Sequence, residues 1–247
     1  MRLVLASNNA KKLAEMRSLL AGLPLQLVAQ HELGIEEAEE PHPSFIENAL
    51  AKARHAAAAS GGAAMADDSG LCVDALGGAP GVISAHYAGG AAAALARQQQ
   101  EQPRQPEQRD GHEQRQQRQQ RQQREPREPR EQREQREQSR RVQDAANNAL
   151  LLQQLHGVAD RRALFISTLV AVRHAADPQP LVAVGRWPGT ILAAPRGELG
   201  FGYDPLMFIA EAQLTVAEMD AATKNQLSHR ARAMAHMLTL LREVWWL

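Results

Sequence analysis

Residues 97–141 contain no Ala, Val, Leu, Ile, Met, Phe, Tyr or Trp and consist almost wholly of Gln, Arg and Glu with a few Pro. A stretch of that composition buries too little apolar surface to offset the entropy lost on ordering. Any globular fold must therefore close its core from the two flanks and carry the tract as an insertion. From Gln114 to Gln138 an Arg recurs at nearly every third position, a spacing that spirals around a helix and makes no fixed face. Pro103, Pro106, Pro126 and Pro129 break the helix that Gln, Arg and Glu would otherwise favour. The tract is expected to be disordered or transiently helical, with order resuming near Val142 and a helix from Asp144 to Leu155.

The flanks read as α/β sequence. Leu3 to Ala6 is a buried strand, Ser7-Asn8-Asn9-Ala10-Lys11-Lys12 a polar turn, and Lys12 to Leu20 an amphipathic helix with Leu13, Met16, Leu19 and Leu20 on one face. Leu25 to Ala29 is a second strand. Ser44 to Ser60 is a long helix whose Ser44 and Glu47 make a capping-box pattern, and its Phe45, Ala49, Ala53 and Ala57 form a narrow face suited to close packing. Ala63 to Ala66 reads as a short buried strand. Beyond the tract, Ala163 to Arg173 and Pro180 to Arg186 read as strands joined by a hairpin loop, Val216 to Met219 begins a helical region, and His229 to Val244 is the last helix.

The formal charge is zero, 28 basic against 28 acidic residues, which gives no global electrostatic case for nucleic acid or an anionic membrane. Within the tract 13 Arg face nine acids, and no Phe, Tyr or Trp is present to stack on bases. Nucleic acid is therefore not expected as the main partner, although an interaction protein working through the tract is the rival class. The single Cys72, in an apolar run, fits buried packing and a reducing compartment. With no cleavage pattern and no membrane-length apolar run, a cytoplasmic protein is expected.

Five segments carry candidate chemistry. In Asp67-Asp68-Ser69-Gly70 two adjacent carboxylates follow an apolar strand, in a polar turn where acids can converge on a metal or an attacking water. The same pattern also fits an Asx-type turn in which the acids only satisfy backbone N–H groups. The Ser7–Lys12 turn places N–H groups and a cation at a helix start, a ready anion site that reads equally as a solvated N-cap. Glu36-Glu37-Ala38-Glu39-Glu40 lies between a strand and the helix bearing Lys52. Glu40 with Asp68 would supply hard oxygen ligands suited to Mg²⁺. Gly200-Phe201-Gly202-Tyr203-Asp204-Pro205 lets backbone approach a flat ligand beside an aromatic ring, or is simply a tight loop with core aromatics. Lys224-Asn225-Gln226-Leu227-Ser228-His229-Arg230 could hold a phosphate or a base carbonyl, or Ser228 is only an N-cap.

In this order, the segments resemble the inosine triphosphate pyrophosphatase family. The likeness is carried by Ala6-Ser7-Asn8-Asn9-Ala10-Lys11-Lys12, Ser44-Phe45-Ile46-Glu47-Asn48-Ala49 with Lys52-Ala53, and Ala66-Asp67-Asp68-Ser69-Gly70-Leu71. It continues through Gly78-Ala79-Pro80-Gly81-Val82, Trp187-Pro188-Gly189, Gly200-Phe201-Gly202-Tyr203-Asp204-Pro205 and Ser228-His229-Arg230. It implies one domain over 1–247 interrupted by the tract, with a long mixed β-sheet flanked by helices in two lobes and a substrate cleft between them. It further implies Mg²⁺-dependent hydrolysis of ITP, dITP or XTP to monophosphate and pyrophosphate, and a homodimer.

By the same resemblance Asp68 is the base that activates water, and Glu40 and Asp68 hold the metal. Ser7, Asn8, Asn9, Ala10, Lys11, Lys12, Lys52 and Ser69 bind phosphate and sugar. Phe201, Gly202, Tyr203, Asp204, Lys224, His229 and Arg230 line the base pocket, with Arg230 donating to the C6 oxygen. Asp67 is left a supporting role. Two departures stand out: His86 replaces the family's usual Arg before Tyr87, and the tract replaces a short loop. A Maf-like pyrophosphatase of modified pyrimidine nucleotides is the rival within the enzyme class, and Ser228-His229-Arg230 argues against it.

Overall fold

The computed structural model describes residues 2–21, 24–89 and 130–245. Its first strand, β1 (Arg2–Leu5), buries Leu3, Val4 and Leu5 on both faces, as a parallel strand covered on two sides must. It pairs in parallel with β2 (Gln26–Ala29) and with β3 (Ala63–Val73). From β3 onward the pairing is antiparallel, through β4 (Arg162–Val172), β5 (Leu181–Ile191), β6 (Met207–Ile209) and β7 (Leu214–Thr215). The result is one seven-stranded mixed sheet in the order β2-β1-β3-β4-β5-β6-β7. The α/β class and long mixed sheet expected from the sequence are what the chain adopts.

Five helices flank the sheet among the described residues: α1 (Ala10–Leu20), α2 (Phe45–Ser60), α3 (Arg130–Gln154), α4 (Ala221–Leu227) and α5 (His229–Trp245). On one face Leu13, Met16 and Leu20 of α1 and Met234, Met237 and Leu241 of α5 pack with Leu3, Leu5, Met65 and Leu169. On the other face Ala49, Ala53, Ala56 and Ala57 of α2 lie against Val4, Ala64, Ala66, Val170 and Val172. The far ends of β3, β4 and β5 bury a separate core of Leu71, Phe165 and Trp187 with Leu151 of α3 and Leu155 just beyond its end.

Three boundaries differ from the sequence reading. The strand starting at Ala63 does not stop at Asp67. It runs through both acids to Val73, because every residue from Ala64 onward has a partner on β4, Asp68 opposite Thr168 and Ser69 opposite Ser167. β5 likewise continues past Arg186 to Ile191, paired with β4 as far as Thr190 and with β6 at Thr190 and Ile191. Helix α3 begins at Arg130 and not at Asp144, so the last part of a tract expected to be disordered or transiently helical is helical, its Glu/Gln/Arg composition favouring that state. Residues 97–129 lie outside those described. Among the described residues no helix is long and apolar enough to cross a membrane.

Candidate active site

The sheet's own geometry builds the site. β1 ends at Leu5, opposite Met65, while β3 continues. Residues Asp67 to Gly70 therefore lie beyond the end of β1, beside the turn that leads into α1. Because strand side chains alternate, Asp67 follows Met65 onto the α1/α5 face and Asp68 follows Ala66 onto the α2 face. The two acids do not converge on one point, as their adjacency in the sequence implies.

Asp67 is fully enclosed. Its Oδ2 lies 2.9 Å from Lys12 Nζ and 3.4 Å from Arg230 Nε, and its Oδ1 accepts the Ser167 hydroxyl at 2.6 Å. Ser69 Oγ donates to Oδ2 at 3.1 Å. Burial alone would push this carboxyl up, but Lys12, Arg230 and the Ser167 hydroxyl together hold it far below the usual carboxylate range. Asp68 has fewer partners. Its Oδ1 accepts from Lys52 Nζ at 2.8 Å, and Lys52 in turn meets Glu40 Oε2 at 3.2 Å. The other oxygen of Asp68 is buried and has no hydrogen-bond partner. Burial outweighs Lys52, and Glu40 adds like-charge repulsion, so the Asp68 carboxyl is pushed up to about 6. Burial also works against the Lys52 ammonium, yet Asp68 and Glu40 hold it charged.

From Asp67 a line of charges crosses to the aromatic loop. Arg230 pairs with Glu15 of α1 and donates to Ser69 Oγ at 3.2 Å. Glu15 Oε1 lies 3.7 Å from Lys224 Nζ, and Lys224 donates to Asp204 Oδ2 at 2.7 Å. Lys224 Nζ sits 4.6 Å from the centroid of the Phe201 ring, and Arg230 Cζ 5.9 Å from it. Lys12, Arg230 and Lys224 thus alternate with Asp67, Glu15 and Asp204. Arg230 reaches this place because α5 packs its first turn directly on β5 at Gly185, where a Cβ would meet the His229 carbonyl at 1.9 Å. A second close approach is at Gly70, where a Cβ would meet the Gly81 carbonyl at 2.4 Å and Ser84 Oγ at 2.5 Å.

The remaining candidates fall as follows. Asn9 caps α1, its Oδ1 accepting the Lys12 N–H at 3.3 Å, and its own N–H goes to Ser7 Oγ at 3.2 Å. Asn8 Oδ1 accepts from Gln30 Nε2 at 3.2 Å. The Ala10 and Lys11 side chains are not among those described. Tyr203 and His229, expected to line the base pocket, turn inward. The Tyr203 hydroxyl donates to the Ser84 carbonyl at 2.9 Å, and His229 stacks on Phe165 with ring centroids 5.0 Å apart. Burial holds the His229 imidazole well below its ordinary value, and neighbouring Arg230 adds to the effect. Ser228 Oγ accepts the Ala231 N–H at 3.1 Å, so it does cap α5. Arg230, expected to present its donors to a base, is 3% exposed in its side chain and gives them to Glu15 and Ser69. Cys72 is half-buried and its thiol is pushed up by burial.

Sequence reasoning missed Glu15 and Ser167 and underrated Asp67. Ser167-Thr168 is a polar pair inside an apolar strand, a detectable signal. Glu15 is one acid on an amphipathic helix and carries none.

No cluster of three or more His, Cys, Asp or Glu with metal-holding geometry occurs among the described residues. The Asp68 and Glu40 pair still suits a cation that keeps most of its coordination for water and phosphate, and the unpartnered Asp68 oxygen is the observation in its favour.

The site is thus a lysine-lined strand end joined by alternating charges to an aromatic, glycine-rich loop on one α/β sheet. The Ham1 family model matches residues 3–119 and 133–240, and the chain belongs to the Ham1 family. It is 57% identical over 245 residues to a dITP/XTP pyrophosphatase of Methylibium petroleiphilum, covering 99% of both chains, and 54% identical over 248 residues to one of Leptothrix cholodnii, again covering 99% of both. Among solved structures, a HAM1 protein from Coxiella burnetii superposes with a TM-score of 0.74 at 34% identity, covering 99% of this chain and 100% of that one. The Staphylococcus aureus Ham1 protein gives 0.70 at 27% identity, covering 98% and 99%. The likeness read from the motifs is borne out by these matches.

Proposed function

We propose that this chain hydrolyses ITP, dITP and XTP between the α and β phosphates, releasing nucleoside monophosphate and pyrophosphate. The observation that carries the reading is the Asp68 carboxylate, with one oxygen on Lys52 and the other buried and unpartnered at the end of β1. A carboxylate with its pKa near 6 accepts a proton from an attacking water while remaining largely ionised at neutral pH. Lys52 fixes its orientation and, with Lys12, offsets negative charge on the triphosphate. Asp68 and Glu40 would hold Mg²⁺, which supplies Lewis-acid neutralisation of the phosphoryl oxygens when bound.

At the other end the base stacks on Phe201. Lys224, the cation nearest that ring, donates to the C6 oxygen of hypoxanthine or xanthine, with Arg230 behind it. Adenine carries an amino donor at that position and would leave both donor groups opposed. The names of the relatives support this substrate class, and neither the tract-centred interaction protein nor the Maf-like pyrophosphatase finds support in the family match. A homodimer and a cytoplasmic location belong to the same reading, and sedimentation of the purified protein tests the first.

The deciding experiment is pyrophosphate release from ITP, XTP and ATP, with Mg²⁺ and with chelator, for the wild type and Asp68→Asn. Preference for ITP and XTP, lost without metal and without Asp68, is expected. Equal turnover of ATP, or full activity in the Asp68→Asn protein, overturns the reading.

A further inference from the structure

Gly202 adopts φ 63°, in the left-handed region that glycine enters freely, and both of its backbone polar groups are taken by one helix. Its N–H donates to Asp144 Oδ2 at 2.8 Å and its carbonyl accepts from Asn148 Nδ2 at 3.1 Å. Asp144 and Asn148 are four residues apart on α3, so they stand one turn above each other on a single face. The N–H to carboxylate contact is charge-assisted, the stronger kind of hydrogen bond. Within the loop, Asp204 takes the Phe201 N–H at 2.9 Å and Lys224 Nζ at 2.7 Å. The peptide groups on either side of Phe201 are therefore fixed from opposite directions, by Asp204 before it and by α3 after it.

The helix is a firm base for such a clamp. The side chain of Asn147, buried between the two clamp residues, donates to the carbonyls of Ser84 and Ala85 at 3.3 and 3.1 Å. Leu151 and Leu155 anchor the following turn in the core. Beside the clamp lies a cavity of about 220 Å³, lined by Arg141, Asp144, Asn148, Leu199 and Phe201 among others. A loop released from α3 has that space to move into. The ion pairs at the phosphate end, Lys12 with Asp67 and Lys52 with Asp68, do not involve α3.

We propose that Asp144 and Asn148 are positioning residues that hold the Phe201–Gly202 backbone where a purine can stack on Phe201 and meet Lys224, and that they thereby set discrimination between 6-oxo and 6-amino purine triphosphates. The inference rests on the proposed pyrophosphatase reading and deepens its base-recognition half. In this role neither clamp residue needs to touch substrate. Their effect passes through the loop alone.

The test is the ratio of kcat/KM for ITP to that for ATP, measured with melting temperature on the same preparations. In the Asp144→Ala/Asn148→Ala protein kcat/KM for ITP is expected to fall at least about tenfold, chiefly through KM, as misplacing a recognition group does. The value for ATP falls by less than about threefold, so the ratio collapses. Asp144→Asn keeps an oxygen acceptor for the Gly202 N–H and is expected to keep the ratio. Asn148→Asp sets an acceptor against the Gly202 carbonyl and is expected to lose it. If the double variant does not fold, Asn148→Ala alone, at a half-buried position, is expected to lower the ratio. A folded variant lacking the clamp that retains the wild-type ratio overturns the proposal. Wild-type protein that turns over ITP and ATP equally overturns the parent reading and the clamp's role with it, and that result is visible before any variant is made.

Discussion

Asp67 and Asp68 are neighbours on β3 yet serve opposite faces of the sheet, Asp67 meeting Lys12 at 2.9 Å and Asp68 meeting Lys52 at 2.8 Å. Their electrostatic balance is opposite too, and this separates stability from catalysis. Asp67 is held below its unfolded value, so it contributes stability that is present above about pH 4 and lost as the pH falls further. Replacing it by Asn leaves Lys12 and Arg230 without their shared buried partner, a loss expected to cost about 3–5 kcal/mol.

Asp68 has a folded pKa of about 6, raised above 3.8, so ionising it removes stability as the pH rises through that interval. At pH 7.5 Asp68→Asn is therefore expected to unfold at the same or a higher urea concentration than the wild type, with Lys52 still paired to Glu40. Its pyrophosphate release falls by a factor on the order of 10² or more, as loss of a general base does. Urea melts and turnover measured side by side check both expectations. A stable, inactive Asp67→Asn protein together with an unstable, active Asp68→Asn protein would reverse the assignment.

Gly185→Ala tests how tightly α5 must sit on β5. The added methyl would fall 1.9 Å from the His229 carbonyl and 2.4 Å from the Ala233 nitrogen, both backbone atoms that no rotamer change can move. Overpacking of this kind costs about 1–3 kcal/mol and more where only backbone can yield. Because Arg230 follows His229 in the displaced turn, the ion pairs with Asp67 and Glu15 are disturbed as well. The expected result is a lower melting temperature together with a raised KM for ITP. A variant with wild-type stability would show that α5 slides without cost.

Periodicity in the sequence was enough to locate α1, α2, α5, β1 and the β4–β5 hairpin to within a few residues, because apolar spacing at 3.6 or 2 reports which face is buried. The extension of β3 through Asp67-Asp68-Ser69-Gly70 was not legible. Two acids and a glycine read as a turn until Lys12, Lys52, Arg230 and Ser167 arrive from elsewhere in the chain to neutralise them. The site was legible as a set of motifs and not as a geometry. Glu15 has no local signature and Ser167 only that of a polar pair in an apolar strand, while Tyr203 and His229 sit within motifs yet spend their side chains on the core. Long-range partnering decides each of these, and a single sequence carries little of it.

The two flanks of the insertion are tied to each other chiefly through Asn147. Asn147 Oδ1 accepts the Ala88 N–H at 2.9 Å, and Tyr87 donates its hydroxyl to Gln154 of the same helix, so the chain before the insertion is fastened to the helix that follows it. With the ends tied, deleting residues 98–129 is expected to leave ITP turnover within about tenfold of the full-length protein, about 1.4 kcal/mol in the barrier. Asn147→Ala, which strands the Ser84 and Ala85 carbonyls as well, is expected to cost about 1–3 kcal/mol in the full-length protein. The cost should be smaller once the deletion has shortened the loop that must close. Chemical denaturation of the four proteins in this cycle checks the coupling. A folded deletant that has lost far more than tenfold of its activity would place the segment inside the enzyme's working parts.

His229 supplies the pH test. Its ring is buried against Phe165 and Trp187, its Nδ1 has no partner, and its folded pKa lies well below 6.5. In the unfolded chain the imidazole takes up a proton near pH 6.5, and in the folded protein it does not. The unfolded state therefore binds more protons between the depressed folded value and 6.5, and stability falls as the pH drops through that window. One proton corresponds to a slope of about 1.4 kcal/mol per pH unit. His229→Phe keeps a ring for the stack and removes the titration. Urea unfolding of the two proteins from pH 7.5 down to pH 5 is expected to give a wild-type slope steeper by up to one proton, with the variant gaining relative stability at each step down. Parallel slopes would mean that His229 is protonated in the fold and that its buried ring is not neutral.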